Sequence, residues 1–460
     1  MKFISTRGQS PAISFEDVLL AGPAPDAGLY VPETWPSLDW SRLAAAPGRD
    51  YATLAAMVLG QFCDDPAWKG RIDRITREAY ARFSDPSAAP LRVLGPHRWL
   101  LELFHGPTLA FKDFALQVLG PLMNEALVAR NRRALVLAAT SGDTGAAAVN
   151  ALANRSNIDL IILHPKGRIS DVQRRQMTTT DAANIRNIAV EGTFDDAQAM
   201  IKLAFADREF ASREGLAAIN SINWVRIAVQ AAYYVSACLA LGGRDAAFTV
   251  PTGNFGDAFA GYVARRMGAP VGRIIVATNS NDIVARAINT GVYARGSVEA
   301  TMSPAMDIQV ASNFERLLFE ALDRDAGRTA ALMQAFERSG TMNLDAPVRK
   351  AIAAVFAADR VSEAETAATI REVHARTGLL VDPHTAVGLA ANRIAGASDD
   401  VVTLATAHPA KFPDAVAAAT GIRPSLPDRL RWIETATERC DVLPASMAAL
   451  KAYIAESPRR

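Results

Sequence analysis

Lys112 stands in FHGPTLAFKDFAL (104–116), between Phe111 and Asp113, with Phe114 and Leu116 close behind. Apolar surroundings disfavour the charged form of an amine, and a neutral amine is what Schiff-base chemistry requires. The plainer reading is a surface lysine that snorkels beside Asp113, and for an arbitrary lysine that reading wins. Phe104, Pro107, Phe111 and Phe114 make this lysine unusual, although the segment alone does not decide. PTGNFGDAFAG (251–261) reads as a strand end, a turn over Gly253, Asn254, Phe255 and Gly256, and a helix starting near Asp257. Such a turn points backbone N–H groups and the positive helix end at an anion. It carries neither Gly-Lys-Ser/Thr nor G-x-G-x-x-G, so a P-loop and a dinucleotide site are disfavoured. ATSGDTGAAA (139–148) repeats the design, with Ser141 and Thr144 beside backbone donors, and suits a carboxylate or phosphate. Its plainer reading is a helix N-cap by Ser141 or Asp143, which can coexist with binding. In LATAHPAKF (404–412), Thr406 ends a strand where its hydroxyl can face a ligand. His408, just before a proline, reads more readily as a satisfied loop histidine. An amine, two anion-binding turns and a strand-end hydroxyl are together what pyridoxal phosphate needs for its aldehyde, its phosphate and its ring nitrogen.

The elements that must position these groups alternate. Short apolar runs at 134–140, 159–165, 185–190, 246–251, 273–279 and 401–406 read as buried strands, most of them followed by helical periodicity. That alternation predicts an α/β fold around largely parallel sheets. Ligands then sit beyond the carboxyl ends of the strands, at the turns after residues 140, 251, 279 and 406. Residues 1–85 differ. AGPAPDAGLYVPETWP reads as loop, and Asp39–Ala46 and Tyr51–Phe62 as helices, giving a small, mostly helical N-terminal domain. FSDPSAAP (83–90) is the boundary, and 86–460 is the catalytic region of two α/β lobes, the smaller roughly within 110–245. Arg324–Arg376 reads as surface helices.

Composition excludes several classes. The chain has 460 residues, 50% hydrophobic and 21% charged, which argues against disorder. Its net charge of +1 gives no global field for nucleic acid or anionic lipid. Three dispersed cysteines and six histidines offer no CxxC or HExxH, so neither a disulfide framework nor a structural zinc site is expected. The uncharged run 227–243, bounded by Arg226 and Arg244, falls short of a membrane span and reads as a buried helix. With no secretory signal at the N-terminus, a cytoplasmic protein is expected.

Together these segments resemble the threonine synthase family, pyridoxal-phosphate enzymes of fold type II. Glu102–Leu116 is similar to the family's lysine-attachment signature, GNFGD (253–257) to its phosphate loop and SGDTG (141–145) to its substrate-carboxylate loop. The likeness continues through STRG (5–8), NSIN (220–223), SPAMDIQVASNFERL (303–317), DPHTAVG (382–388) and TAHPAKF (406–412), covering residues 2 to about 425. Ala27 departs from it, since a second glycine is usual there. The resemblance implies conversion of O-phospho-L-homoserine and water to L-threonine and phosphate. It assigns Lys112 as the catalytic residue and Schiff-base partner. Gly253, Asn254, Phe255, Gly256 and Asp257 would hold the cofactor phosphate, and Thr406 the pyridine nitrogen. Ser141, Asp143 and Thr144 would meet the substrate carboxylate or the cofactor's O3′ edge. No metal is implied. Lys166, Arg174, Arg316 and Lys411 are candidates for the substrate phosphate. Other readings are a phospho-lyase giving 2-oxobutyrate, a serine/threonine dehydratase, and a non-catalytic metabolite-binding relative. The oligomeric state is not readable.

Overall fold

The structure is a computed structural model that describes residues 1–45 and 50–457. Its centre is a six-stranded sheet in the order Phe356–Arg360, Val271–Thr278, Ala246–Pro251, Val401–Ala405, Arg98–Glu102, Leu91–Gly95. All neighbours are parallel except the last pair, an antiparallel hairpin. A five-stranded sheet runs Asp441–Pro444, Ile185–Glu191, Ile158–Pro165, Ala134–Ala139, Leu216–Ala217, all parallel. The six strands expected from apolar runs are present and form the middle of both sheets. Their runs are continuous rather than alternating because both faces are covered.

The differences lie at the edges. Phe356–Arg360 lies inside the stretch read as surface helices; it is a five-residue edge strand between the helices Ala346–Ala353 and Glu363–Thr377. Asp441–Pro444 and the helix Met447–Glu456 lie beyond the segments that carried the family likeness, yet they complete the smaller sheet and its core. Near the N-terminus, Tyr30–Pro32 is not loop but pairs antiparallel with Phe3–Ser5. Such strands are stabilised by distant partners, so their own periodicity is weak. The helix expected over Asp39–Ala46 spans Trp40–Ala44; its last residue lies outside the described residues. Ala27 adopts φ 64°, the left-handed region where glycine is favoured and a Cβ costs about 1 kcal/mol. That accounts for the glycine usual at this position.

The uncharged run forms the buried helix Trp224–Ala240, as expected. Asn223 caps it and donates to the carbonyls of Leu19 and Ala21 at 3.1 and 3.2 Å. Trp224 packs among Phe3, Trp35 and Phe62, with ring centroids 5.5–6.2 Å away. The N-terminal segment therefore fixes the first turn of this helix, and with it Arg226. Among the described residues, no helix is long and apolar enough to cross a membrane.

Candidate active site

A cleft of about 430 Å³ opens at the carboxyl ends of the strands. Of the four expected sites, the turns after 140 and 251 line it, and the strand end before the turn after 406 contributes Thr406. The turn after 279 acts at one remove. Asn279 and Asn281 donate to Asp307 Oδ1 at 2.8 and 3.1 Å, pinning the segment that forms the cleft wall around Ala305.

Lys112 opens the helix Lys112–Ala129. The segment before it is tied to a central strand end: Phe111 N–H donates to the Thr406 carbonyl at 2.9 Å, and His408 N–H to the Leu109 carbonyl at 3.0 Å. Thr108 donates its N–H and hydroxyl to the Asp113 carboxylate, each at 2.7 Å. These clamps hold Leu109 at φ 64°, a conformation that a non-glycine residue adopts only when its surroundings impose it. Asp113 thus serves the backbone. The Lys112 amine reaches Asp143 Oδ2 at 3.3 Å and lies 4.6 Å from the Phe111 ring centroid. Burial pushes its pKa below the usual lysine value; Asp143 opposes this, while Lys411 and Arg226 add to it. The snorkelling-lysine reading is excluded.

Asp143 begins the helix Asp143–Leu152, with Gly142 at the N-cap position. Neither Ser141 nor Asp143 caps it. Instead the Thr140 hydroxyl accepts the N–H groups of Gly142 and Gly145, each at 2.9 Å. Asp143 Oδ1 accepts from Gln173 Nε2 at 2.9 Å and forms an ion pair with Lys411 Nζ at 3.0 Å. Burial alone would raise its pKa, but Lys411, Lys112 and His384 outweigh that and hold the carboxyl well below the usual range. Ser141 and Thr144, the other two residues expected to meet the substrate carboxylate or the cofactor's O3′ edge, line the cleft beside Asp143.

The 253–257 turn leads into the helix Gly256–Arg266, whose start has no side-chain cap. Its first N–H groups are therefore available to a ligand. A Cβ on Gly253 would lie 2.5 Å from the Ala305 carbonyl oxygen, so only glycine fits there. Two side chains of the turn are engaged elsewhere, which leaves those residues their main-chain N–H groups. The Phe255 ring packs between Phe314 and Phe356. Asp257 Oδ1 accepts the hydroxyls of Tyr233 and Tyr234 at 2.5 and 3.0 Å. Burial pushes Asp257 up to about 6, with Oδ2 left unpartnered. What this turn can offer a phosphate is main chain and Asn254. Thr406 is buried and lines the cleft, as expected. His408 is a loop histidine whose Nδ1 accepts from Ala410 N–H at 3.1 Å; burial pulls its pKa down to about 4.

None of the four basic residues expected for a second phosphate lines the cleft. Lys166 pairs with Glu191 on the surface, and Arg174 with Asp171 and Glu438. Arg316 is fully buried and donates to Tyr30 O, Asn313 Oδ1 and Ile222 O. Lys411 is consumed by Asp143, the Thr108 carbonyl and Gln176. The cleft instead contains Arg226 and Lys202. Arg226 is buried and donates to the Ile219 carbonyl at 3.1 Å. Its Nε has no partner, and among the described residues no carboxylate pairs with it. Burial pulls its pKa down to about 10. A desolvated, unpaired cation is costly and marks an anion site. Its sequence signal was NSIN (220–223), just ahead of it, obscured because Arg226 reads as the flank of an apolar run.

Comparison with known proteins agrees along the whole chain. The family models described as threonine synthase N terminus, pyridoxal-phosphate dependent enzyme, and threonine synthase, C-terminal, match residues 2–80, 89–343 and 385–454. The threonine synthase of Pseudomonas aeruginosa is 48% identical over 465 residues, covering 100% of this chain and 99% of its own. That of Corynebacterium glutamicum is 42% identical, covering 99% and 98%. The crystal structure of a PLP-bound threonine synthase from Brucella melitensis superposes with a TM-score of 0.97 at 46% identity, covering 100% of both chains. Threonine synthase from Escherichia coli gives 0.84 at 31%, again over 100% of both.

Proposed function

This chain belongs to the threonine synthase family of pyridoxal-phosphate-dependent lyases, and from that premise we propose how its cleft turns O-phospho-L-homoserine and water into L-threonine and phosphate. The groups present fit the cofactor: a buried amine that burial favours as neutral, an uncapped helix start beside a glycine with no room for a Cβ, and a strand-end hydroxyl. Lys112 would hold it covalently, the main chain of 253–257 and Asn254 would hold its phosphate, and the Thr406 hydroxyl would partner its ring nitrogen. When bound, the cofactor supplies the electron sink for carbanion chemistry at substrate Cα.

The chain's own residues do the rest. Ser141 and Thr144 receive the substrate carboxylate. Arg226 holds the substrate phosphate near its departure from Cγ. Protons must be removed and returned along Cα, Cβ and Cγ, and Lys112, buried and facing Asp143, is the group placed to move them. The observation that carries this reading is a surplus: the 253–257 amides and Arg226 are separate anion-binding features in one cleft, one more than a cofactor phosphate needs. Three dispersed cysteines, all free, support a reducing, cytoplasmic setting.

Product analysis tests it. The holoenzyme with O-phosphohomoserine yields threonine and inorganic phosphate in equal amounts. Homoserine lacks the leaving group and an anchor, and reacts roughly a thousandfold more slowly or worse. 2-Oxobutyrate as the main organic product transfers the chain to the phospho-lyase reading; phosphate with neither product rejects both. Thr406→Ala removes one hydrogen bond to the ring, worth about 1 kcal/mol. Cofactor affinity then falls roughly fivefold with an unchanged melting temperature of the cofactor-free protein. Unaltered affinity in a titration contradicts the role of Thr406.

A further inference from the structure

The Lys411 side chain has no exposure to solvent and lies within the same charge cluster as Lys112. Its Nζ donates to the Thr108 carbonyl at 2.7 Å and to Gln176 Oε1 at 3.0 Å, and forms an ion pair with Asp143 Oδ1 at 3.0 Å. It is held by these three partners and does not line the cleft, so it is not a binding group for substrate. Asp143 lies between two lysines, with Oδ1 on Lys411 and Oδ2 on Lys112. If Asp143 faced Lys112 alone, it would be an uncompensated buried anion, and such an anion strongly favours the charged form of an amine beside it. A Lys112 locked in that pair would be a poor base.

We propose that Lys411 is a positioning residue for the amine of Lys112: by pairing with Asp143 Oδ1 it compensates the carboxylate, so that Lys112 is oriented by Asp143 without being fixed as the cationic half of a salt bridge. The inference rests on Lys112 as the cofactor-bearing base. Gln173 Nε2, also on Oδ1, and the Thr108 carbonyl on Lys411 lock the geometry. Thr108 in turn clamps Asp113 in the first turn of the Lys112 helix, so the Lys411 contact and the placement of Lys112 share one residue. The other charged groups that reach the cluster are Asp113 on the Lys112 helix, Arg226, Asp257, and His384 backed by Asp382. Burial lowers the pKa of Lys112, and Lys411 lowers it further, in the direction this role requires.

The test is a charge cycle read by spectrum rather than turnover. The visible absorbance of the cofactor-loaded protein is titrated from about pH 5 to 11 in wild type, Lys411→Met, Asp143→Asn and the double variant, since the band reports protonation of the Lys112 nitrogen. Removing the Lys411 charge raises the midpoint by about one pH unit or more, the scale of a neighbouring charge. Asp143→Asn leaves Lys411 uncompensated and lowers it, and the double variant returns towards wild type. A purely structural role of Lys411 moves stability but not this order. If Lys411→Met fails to fold, the other three still decide: Asp143→Asn must titrate below both wild type and the double variant. Any other order, or curves that coincide with or without a transition in range, overturns the proposal. Borohydride reduction and peptide mapping of the same wild-type sample keep the two claims apart. Label away from Lys112 defeats the attachment reading, whereas label on Lys112 with an unresponsive midpoint defeats only the role of Lys411.

Discussion

Lys112→Ala purifies without the visible band of the wild-type protein, and its turnover of O-phosphohomoserine falls by at least about ten-thousandfold. General-base catalysis alone contributes roughly a hundred- to ten-thousandfold, and this variant removes covalent attachment as well. The protein still folds. Lys112 lies at the first position of its helix, and the anchors of the segment are the Thr108–Asp113 clamp and the Thr406 carbonyl, not the lysine side chain. Asp143 keeps Lys411 and Gln173 as partners. Lys112→Arg, which keeps a cation but not an amine suited to imine formation, is equally inactive. Borohydride treatment of wild type bleaches the band and places the label on the peptide containing Lys112. Label on Lys202, the other lysine of the cleft, or a colourless wild type contradicts the assignment.

Arg226→Met is the second large effect. Removing one member of a buried, hydrogen-bonded charge contact costs about 2–5 kcal/mol, so kcat/KM for O-phosphohomoserine falls roughly thirtyfold to several-thousandfold. Cofactor affinity and the visible band are retained, because the 253–257 amides and Lys112 are untouched. Stability goes the other way from activity. With Nε unpartnered and no carboxylate beside it among the described residues, Arg226 is a desolvation penalty in the substrate-free fold. Methionine relieves that penalty, so the melting temperature holds or rises. Calorimetry and steady-state kinetics on one preparation check both. If cofactor affinity falls as steeply as kcat/KM, Arg226 holds the cofactor phosphate and the substrate anchor lies elsewhere.

The parts of the site legible in the sequence were those built within a few neighbouring residues. SGDTG and GNFGD each join a strand to a helix, and a turn of that length exposes its amides wherever the unit packs. Lys112 among its phenylalanines and Thr406 after VVTLA were readable for the same reason. So were the central strands of both sheets, since a run covered on both faces is apolar throughout. Less legible were elements that depend on a remote partner: Phe356–Arg360 among helices, Asp441–Pro444 at the far end of the chain, and Tyr30–Pro32 in a loop-like stretch.

By itself, the sequence determined which main-chain units and which reactive groups this protein has. Tertiary structure decided how its charges pair. Asp113 is Lys112's neighbour in sequence, yet it bonds Thr108, and the carboxylate that faces the amine is Asp143, brought by another helix. Four basic residues suited by type to a phosphate are spent on Glu191, Glu438, backbone carbonyls and Asp143, while Arg226, buried in the cleft, has no carboxylate beside it among the described residues. Phe255 and Asp257 lie in the right turn, but their side chains serve the core beneath it. The reason is the range of the forces. Backbone conformation is set by adjacent residues. The strength of a charge contact is set by distance through space and by the burial of both partners, and neither exists until the chain has folded.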